Sequence, residues 1–175
     1  YGVYTLLEQG RLHGVGRFLQ VSTDEVYGDV HEGFSLENDS FLPNSPYAAT
    51  KAGGELMVRS YHVTYGMDTV ITRGSNTYGV YHYPEKLIPL FITEALDDQP
   101  LPVYGDGMQI RDWLYVDDHA RGVDTVLHHG VSGEAYNIAG EDLHHNIDVV
   151  RLLLQELGKP ETLIKYVPDR PGHDR

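Results

Sequence analysis

Two short apolar runs on either side of one long helical stretch restrict this chain more than any other feature. Residues Arg17 to Ser22 follow Gly14 and Gly16 and give way to polar residues, the pattern of a buried strand. Ser45-Pro46 then opens a helix that runs to Tyr65 and stops at Gly66, a residue suited to the left-handed turn at a helix end. Met67 to Thr72, with Val70 and Ile71 at its middle, reads as an alternating strand. Strand, helix and strand in that order predict parallel pairing with a helical crossover, hence an α/β fold built on a doubly wound parallel sheet.

In such a sheet, ligands meet the carboxyl ends of the strands. The first run ends in Ser22-Thr23-Asp24-Glu25-Val26-Tyr27-Gly28, which sets hydroxyls and two carboxylates at that edge. Taken alone, the Asp-Glu pair equally describes a strand leaving the core through a solvated acidic loop, because carboxylates are mostly exposed. The helix changes the balance. Tyr47 and Lys51 are four apart on it, so their side chains share one face, about 5–6 Å apart at Cβ. A protonated lysine beside a phenol favours the phenolate and is expected to bring Tyr47 down from about 10, making it a candidate general base. Tyr-x-x-x-Lys by itself is common; behind a strand-end Ser-Thr it is much more specific.

With 175 residues, 41% of them hydrophobic, the chain can bury a core. A formal net charge of −13 with no Lys/Arg cluster argues against nucleic acid or an anionic membrane as partner. A diphosphate ligand needs only a few cations and stays admissible. The chain has no cysteine, which excludes disulfides and thiolate chemistry and fits a reducing compartment. No apolar run approaches the ~18 residues of a membrane span, so a cytoplasmic protein is expected. His31 and Glu32 invite a metal reading, but no second pair stands at ligand spacing. Residues 28–45, rich in Gly, Asn and Pro, read as solvated loop, and no metal is expected.

Further along, a helix is expected over Leu90 to Leu96 and a short strand over Pro102 to Gly105. A helix should begin near His119, capped by Asp117 or Asp118, and Glu134 to Gly140 reads as a returning core strand. A last helix runs from Asn146 to Gly158, with Asn146 as its cap, a ligand contact, or both.

Thr23-Asp24-Glu25-Val26-Tyr27-Gly28 followed by Tyr47-x-x-x-Lys51 resembles the extended short-chain dehydrogenase/reductase family, and within it the nucleoside-diphosphate-sugar 4,6-dehydratases. Related decarboxylases tend to have Ser in place of Asp24, and epimerases lack the acid pair. Arg111-Asp112-x-x-x-Val116-x-Asp118 and Asp169-Arg170-Pro171-Gly172-His173 extend the match over essentially the whole chain, and members acting on dTDP-glucose match closely. Departures are Val80, where Pro is usual, and Thr77, where a second Asn is common.

The resemblance implies that residues 1–80 are the C-terminal part of an NAD-binding Rossmann-like domain. It makes 81–175 mostly a smaller α+β substrate lobe, with some segments returning to the first domain. It implies NAD as cofactor, contacted by Ser22, Tyr47, Lys51 and Thr77. It implies a nucleotide sugar such as dTDP-glucose, held by Thr23, Asn76, Lys86, Leu87, Pro102, Val103, Tyr104, Arg111, Asn146, Asp169, Arg170 and His173, and a homodimer. Lys86, Arg111 and Arg170 read equally as surface cations. Catalysis falls to Thr23, Asp24, Glu25, Tyr47 and Lys51: oxidation at carbon 4, elimination of water across carbons 5 and 6, and return of hydride to carbon 6. Glu25 acts as base and Asp24 as acid, so their surroundings are expected to hold unlike protonation states. The alternatives are a nucleotide-sugar epimerase or decarboxylase, and a non-catalytic sugar-nucleotide-binding domain.

No Gly-x-Gly-x-x-Gly follows a strand, and the glycines at 10, 14 and 16 close a helix instead of aiming one at a pyrophosphate. Helical spacing is already under way at Tyr1 to Glu8. An internal piece of a longer enzyme, inactive alone, is therefore expected.

Overall fold

The computed structural model describes residues 1–30 and 33–169, so His31, Glu32, Arg170 and His173 lie outside the described residues. Two compact units are present: Tyr1–Ser75 with Asp117–Ala139, and Asn76–Val116 with the chain from Gly140 onward. The first change of unit falls ahead of residue 80, and one later stretch returns to the first unit.

In the first unit β1 (Phe18–Thr23), β2 (Thr69–Gly74) and β6 (Ala135–Ile138) form a parallel sheet in the order β1-β2-β6. Phe18 lies opposite Thr69, and Ile71 opposite Ala135. β2 does not alternate as its sequence suggests: every one of its residues is buried. A strand on each side and helices on both faces leave it no route to water. Ile71 packs with Leu7 of α1 (Gly2–Leu12) and with Val58 and Tyr61 of α2 (Pro46–Tyr65). Its neighbour Val70 points the other way, toward Gly130 just past α4 (Val116–His129), and Gly74 lies so close to His119 of that helix that a Cβ would sit 2.6 Å from the ring. Successive strand side chains face opposite ways, so helices cover both faces. This is the doubly wound arrangement.

Local chemistry fixes the crossover helix. Ser45 Oγ accepts from the Ala48 amide at 3.1 Å, Pro46 occupies the first turn where its missing N–H costs nothing, and Gly66 ends the helix at φ 65°. α4 starts at Val116, earlier than expected, so Asp117 and Asp118 lie within its first turn and do not cap it. Their charge there complements the helix dipole.

In the second unit β3 (Asn76–Tyr78) pairs in parallel with β5 (Ile110–Tyr115), which pairs antiparallel with β7 (Leu143–His145). β4 (Leu101–Tyr104) pairs in parallel with β8 (Ile164–Val167). Phe91 and Ala95 of α3 (Leu87–Leu96) pack against Leu101, Val103 and, from α5 (Asn146–Leu157), Ile147, Val150 and Leu154. α3 begins before Leu90 because Pro89 is tolerated in a first turn. Among the described residues no helix is long and apolar enough to cross a membrane.

Leu7 is fully buried, whereas its neighbour Leu6 is 62% exposed. Leu7→Ala should cost about 2–5 kcal/mol of folding stability, against roughly 0.5 kcal/mol or less for Leu6→Ala, as read from urea unfolding midpoints. Equal losses would contradict this packing.

Candidate active site

The carboxyl end of β1 becomes a single 3₁₀ turn, Asp24–Tyr27, and this change of backbone sets out the reactive groups. Ser22 and Thr23 are the buried last residues of the strand. The Thr23 hydroxyl donates to Asp24 Oδ1 at 3.2 Å and accepts from the Glu25 amide at 3.3 Å, capping the turn. Asp24 is half-buried and Glu25 exposed. From α2, the Tyr47 phenol comes near enough to Glu25, Thr23 and Asp24 to feel all three, and it remains half-exposed. Lys51 Nζ donates to the Val21 carbonyl at 3.0 Å and lies 5.9 Å from the Tyr47 ring centre. Ser22, Thr23, Asp24, Glu25, Tyr47 and Lys51 thus gather at one strand end of the first unit.

One expectation is overturned. Tyr47 is held above the usual phenol value, first by burial and then by the Glu25 carboxylate, with the Thr23 hydrogen bond pulling the other way and Asp24 adding a smaller upward push. Lys51, whose ammonium is turned onto a backbone carbonyl of β1, is not among the groups that set the Tyr47 pKa.

Behind the turn lies a network that sequence reasoning missed. Arg73 at the end of β2 is 5% exposed and Glu55 of α2 2% exposed. Arg73 Nη2 and Nε donate to Glu55 Oε2 at 2.7 and 3.0 Å. Arg73 Nη1 donates to the Tyr27 hydroxyl, which donates in turn to Asn137 Oδ1 at 2.8 Å. Burial opposes the charge on Arg73, but Glu55 and Tyr27 more than offset it, and its pKa is raised. The available signal was Glu55 itself, a carboxylate on the same helical face as the small buried residues Ala48 and Ala52.

The other expected residues lie in the second unit. Asn76 and Thr77 are on β3. Lys86, mostly exposed and 3.5 Å from Glu85, precedes α3, which opens at Leu87. On β4, Val103 is buried, Pro102 half-buried and Tyr104 exposed. Arg111 on β5 is half-buried and donates to the Ile110 carbonyl at 2.7 Å. Asn146 is the first residue of α5 and not its cap, which is His145; its Oδ1 is buried with no hydrogen-bond partner among the described residues. The Asn146 amide donates to the Gln109 carbonyl at 2.9 Å, and Gln109 Nε2 donates to Asp169 Oδ2 at 3.1 Å. Buried Gln109, another residue missed from the sequence, therefore joins Asn146 to Asp169.

A model of the NAD dependent epimerase/dehydratase family matches residues 1–139. The chain belongs to that family. It is 51% identical over 174 residues to the dTDP-glucose 4,6-dehydratase of an Actinoplanes species, covering 99% of this chain and 54% of that protein. With the enzyme of the same description from Streptomyces griseus it shares 48% over 175 residues, covering 100% and 53%. Among solved structures, it matches DesIV, a dTDP-glucose 4,6-dehydratase from Streptomyces venezuelae with NAD and TYD bound, at a TM-score of 0.97 and 50% identity over 99% of this chain and 54% of that one. A UDP-glucuronic acid 4-epimerase from Bacillus cereus, in complex with UDP-glucuronic acid and NAD, matches at a TM-score of 0.93 and 32% identity, covering 98% and 55%. The chain spans about half the length of the curated relatives it matches.

For this family member the ionisation of Tyr47 is set by neighbours whose signs are known. Its ring carbon resonance, assigned by comparison with Tyr47→Phe, should titrate above the ordinary value of about 10. Glu25→Gln removes a negative charge and should lower the midpoint. A midpoint below the ordinary value, or a shift of the opposite sign, would contradict the geometry.

Proposed function

We propose that this chain carries the reaction residues of an NAD-dependent nucleotide-sugar 4,6-dehydratase that converts dTDP-glucose to dTDP-4-keto-6-deoxyglucose. The observation that carries this reading is the meeting of two sets of groups at one strand end: Thr23 bonds Asp24 of the acid pair, and the phenol of Tyr47 is near enough to feel Glu25, Thr23 and Asp24. An epimerase or decarboxylase needs the phenol but not both acids, and binding alone needs neither. The identity to named dehydratases supports the same choice.

The residues fit the cofactor on one point of geometry. Ser22 Oγ is buried at the strand end with no hydrogen-bond partner among the described residues, beside the face carrying Tyr47 and Lys51. A buried unpaired hydroxyl costs free energy unless a ligand answers it. Ser22, Tyr47 and Lys51 would hold NAD, and the first unit is read as its domain; a cofactor contact for Thr77 rests on the resemblance alone. The second unit is read as the substrate lobe, with Asn76, Lys86, Leu87, Pro102, Val103, Tyr104, Arg111, Asn146 and Asp169, and beyond the described residues Arg170 and His173. Homodimerisation and a cytoplasmic location, implied by the resemblance, belong to the same proposal.

Eliminating water across carbons 5 and 6 of a hexose is hard while carbon 4 is an alcohol, because nothing acidifies the carbon-5 hydrogen. A ketone at carbon 4 does. When bound, NAD would supply the acceptor for the carbon-4 hydride and the donor that returns it to carbon 6. Tyr47, with Lys51 one turn on along the same helix, takes the carbon-4 hydroxyl proton. Glu25 takes the carbon-5 proton, and Asp24 gives a proton to the departing carbon-6 hydroxyl, which leaves as water; once hydride is back at carbon 6, carbon 5 takes up a proton, which Glu25 exchanges with solvent. One carboxyl must be ionised and the other protonated; Asp24 is half-buried, while Glu25 is exposed.

The test is the product. The full-length protein given dTDP-glucose and NAD should form a sugar with the near-ultraviolet absorbance that 4-keto sugars develop in alkali; a carbon-4 epimer lacking it would favour the epimerase reading. Glu25→Gln should still reduce bound cofactor but release little product, and Tyr47→Phe should do neither; Glu25→Gln turning over like wild type would make Glu25 a mere loop carboxylate.

Arg111 is assigned to the diphosphate, which needs forked cationic donors. Arg111→Ala should weaken sugar-nucleotide binding by about 2–5 kcal/mol, raising KM at least roughly tenfold, with NAD affinity little changed. Unchanged KM would return Arg111 to the surface reading, worth about 0–1 kcal/mol.

A further inference from the structure

We propose that Tyr27, Arg73 and Glu55 act as a positioning device that fixes the Asp24–Glu25 carboxylates relative to Tyr47, and that it governs elimination and not oxidation. The inference rests on the dehydratase reading above. Its starting point is the weakness of the element that carries the acids. Asp24–Tyr27 is one 3₁₀ turn, a short helix with poor hydrogen-bond geometry. Its closing bond, from the Gly28 amide to the Glu25 carbonyl, is 3.2 Å long. Catalytic groups must be held to about 0.5 Å, and such a turn does not do this unaided.

The support comes from the turn's downstream end. The Tyr27 hydroxyl is used in both directions, accepting from Arg73 and donating to Asn137. The Arg73 guanidinium carbon lies 5.0 Å from the centre of the Tyr27 ring and 4.9 Å from that of Phe41, so the ring is held by its face as well as by its hydroxyl. Arg73 Nη1 also donates to the Glu37 carbonyl at 2.9 Å. On the far side, the Leu42 amide donates to the Val26 carbonyl at 3.0 Å. Gly28 sits at φ 75° with the Leu42 carbonyl 2.2 Å from where a Cβ would be.

The route ends where it matters. Glu55 belongs to α2, the helix that also carries Tyr47 and Lys51. Carboxylates and phenol are therefore tied through buried charge-assisted bonds, from turn to Tyr27 to Arg73 to Glu55 to the general base's own helix. Thr23, Tyr47 and Lys51, which serve the oxidation, have supports of their own in the β1–β2 ladder, in helix α2 and in the bond from Lys51 to Val21, while Thr23 pins only the upstream end of the turn. Loosening Tyr27 should let the acids shift and leave the phenol in place.

The experiment is pre-steady-state kinetics on full-length Tyr27→Phe with NAD and dTDP-glucose. Appearance of reduced cofactor should keep its wild-type rate to within about threefold, while its reoxidation and product release slow by about tenfold or more, as expected when a reacting group is slightly misplaced. Reduced cofactor should then accumulate. Asn137→Ser, which removes the other partner of the hydroxyl, should give the same split and serves should Tyr27→Phe fail to fold. Glu55→Asp should recover part of the elimination rate lost in Glu55→Gln. A purely structural role would lower the unfolding midpoint and slow both half-reactions in proportion, or neither, and either result overturns the inference alone. A wild-type protein that forms no 4-keto-6-deoxy sugar overturns the dehydratase reading and this inference with it.

Discussion

Arg73 is the constraint on which the first unit depends. A guanidinium 5% exposed at the end of a central strand carries a desolvation cost of several kcal/mol unless it is answered in kind. Glu55 answers it from α2 with a forked pair of bonds, and the remaining donor reaches Tyr27 and the Glu37 carbonyl. The strand, the crossover helix, the 3₁₀ turn and the loop near residue 37 are thereby required to arrive together. Asn137 brings β6 into the same network, its amide donating to Glu37 Oε1 at 2.9 Å and its side chain to the Ser35 carbonyl at 3.0 Å. Ion pairs at the surface, such as Arg121 with Asp118, stay in water and carry no comparable obligation.

Full burial of β2 explains why the chemistry collects at a strand end. A strand walled in on both faces offers a ligand nothing along its length. Polar groups become available only where the backbone leaves the sheet, and β1 leaves it through Thr23 into the acid-bearing turn. Thr23 is buried, yet its hydroxyl makes two hydrogen bonds, to Asp24 and to the Glu25 amide, and acts on the Tyr47 phenol. It is the hinge between scaffold and reagents.

Much of this was legible because the signals were local. Apolar runs ending in Ser-Thr and at Gly74, a Ser-Pro start and a Gly66 stop define β1, α2 and β2 with little help from the rest of the chain. β7 and β8 were not legible: Leu-His-His and Ile-Lys-Tyr-Val are short and largely exposed, and they become strands only by pairing with β5 and β4. The pattern of β2 was misread because two-sided burial is a tertiary property. The Tyr47 ionisation was misread for a related reason. Helical spacing brings Lys51 near the ring, but only the folded sheet offers it the Val21 carbonyl, and only the turn brings Glu25 to bear. Asn146 looked like a cap because it precedes an apolar helix; His145 takes that position and leaves the amide oxygen buried.

The central claim is that one strand end joins a phenol that takes the carbon-4 proton to a carboxylate that takes the carbon-5 proton. Its most direct test follows hydrogen. When the full-length protein turns over dTDP-glucose labelled with deuterium at carbons 4 and 5, in ordinary water, the carbon-4 label should reach carbon 6 of the product while the carbon-5 label is replaced by hydrogen from solvent. Label retained at carbon 4, or a carbon-5 hydrogen that never exchanges with water, would contradict the account.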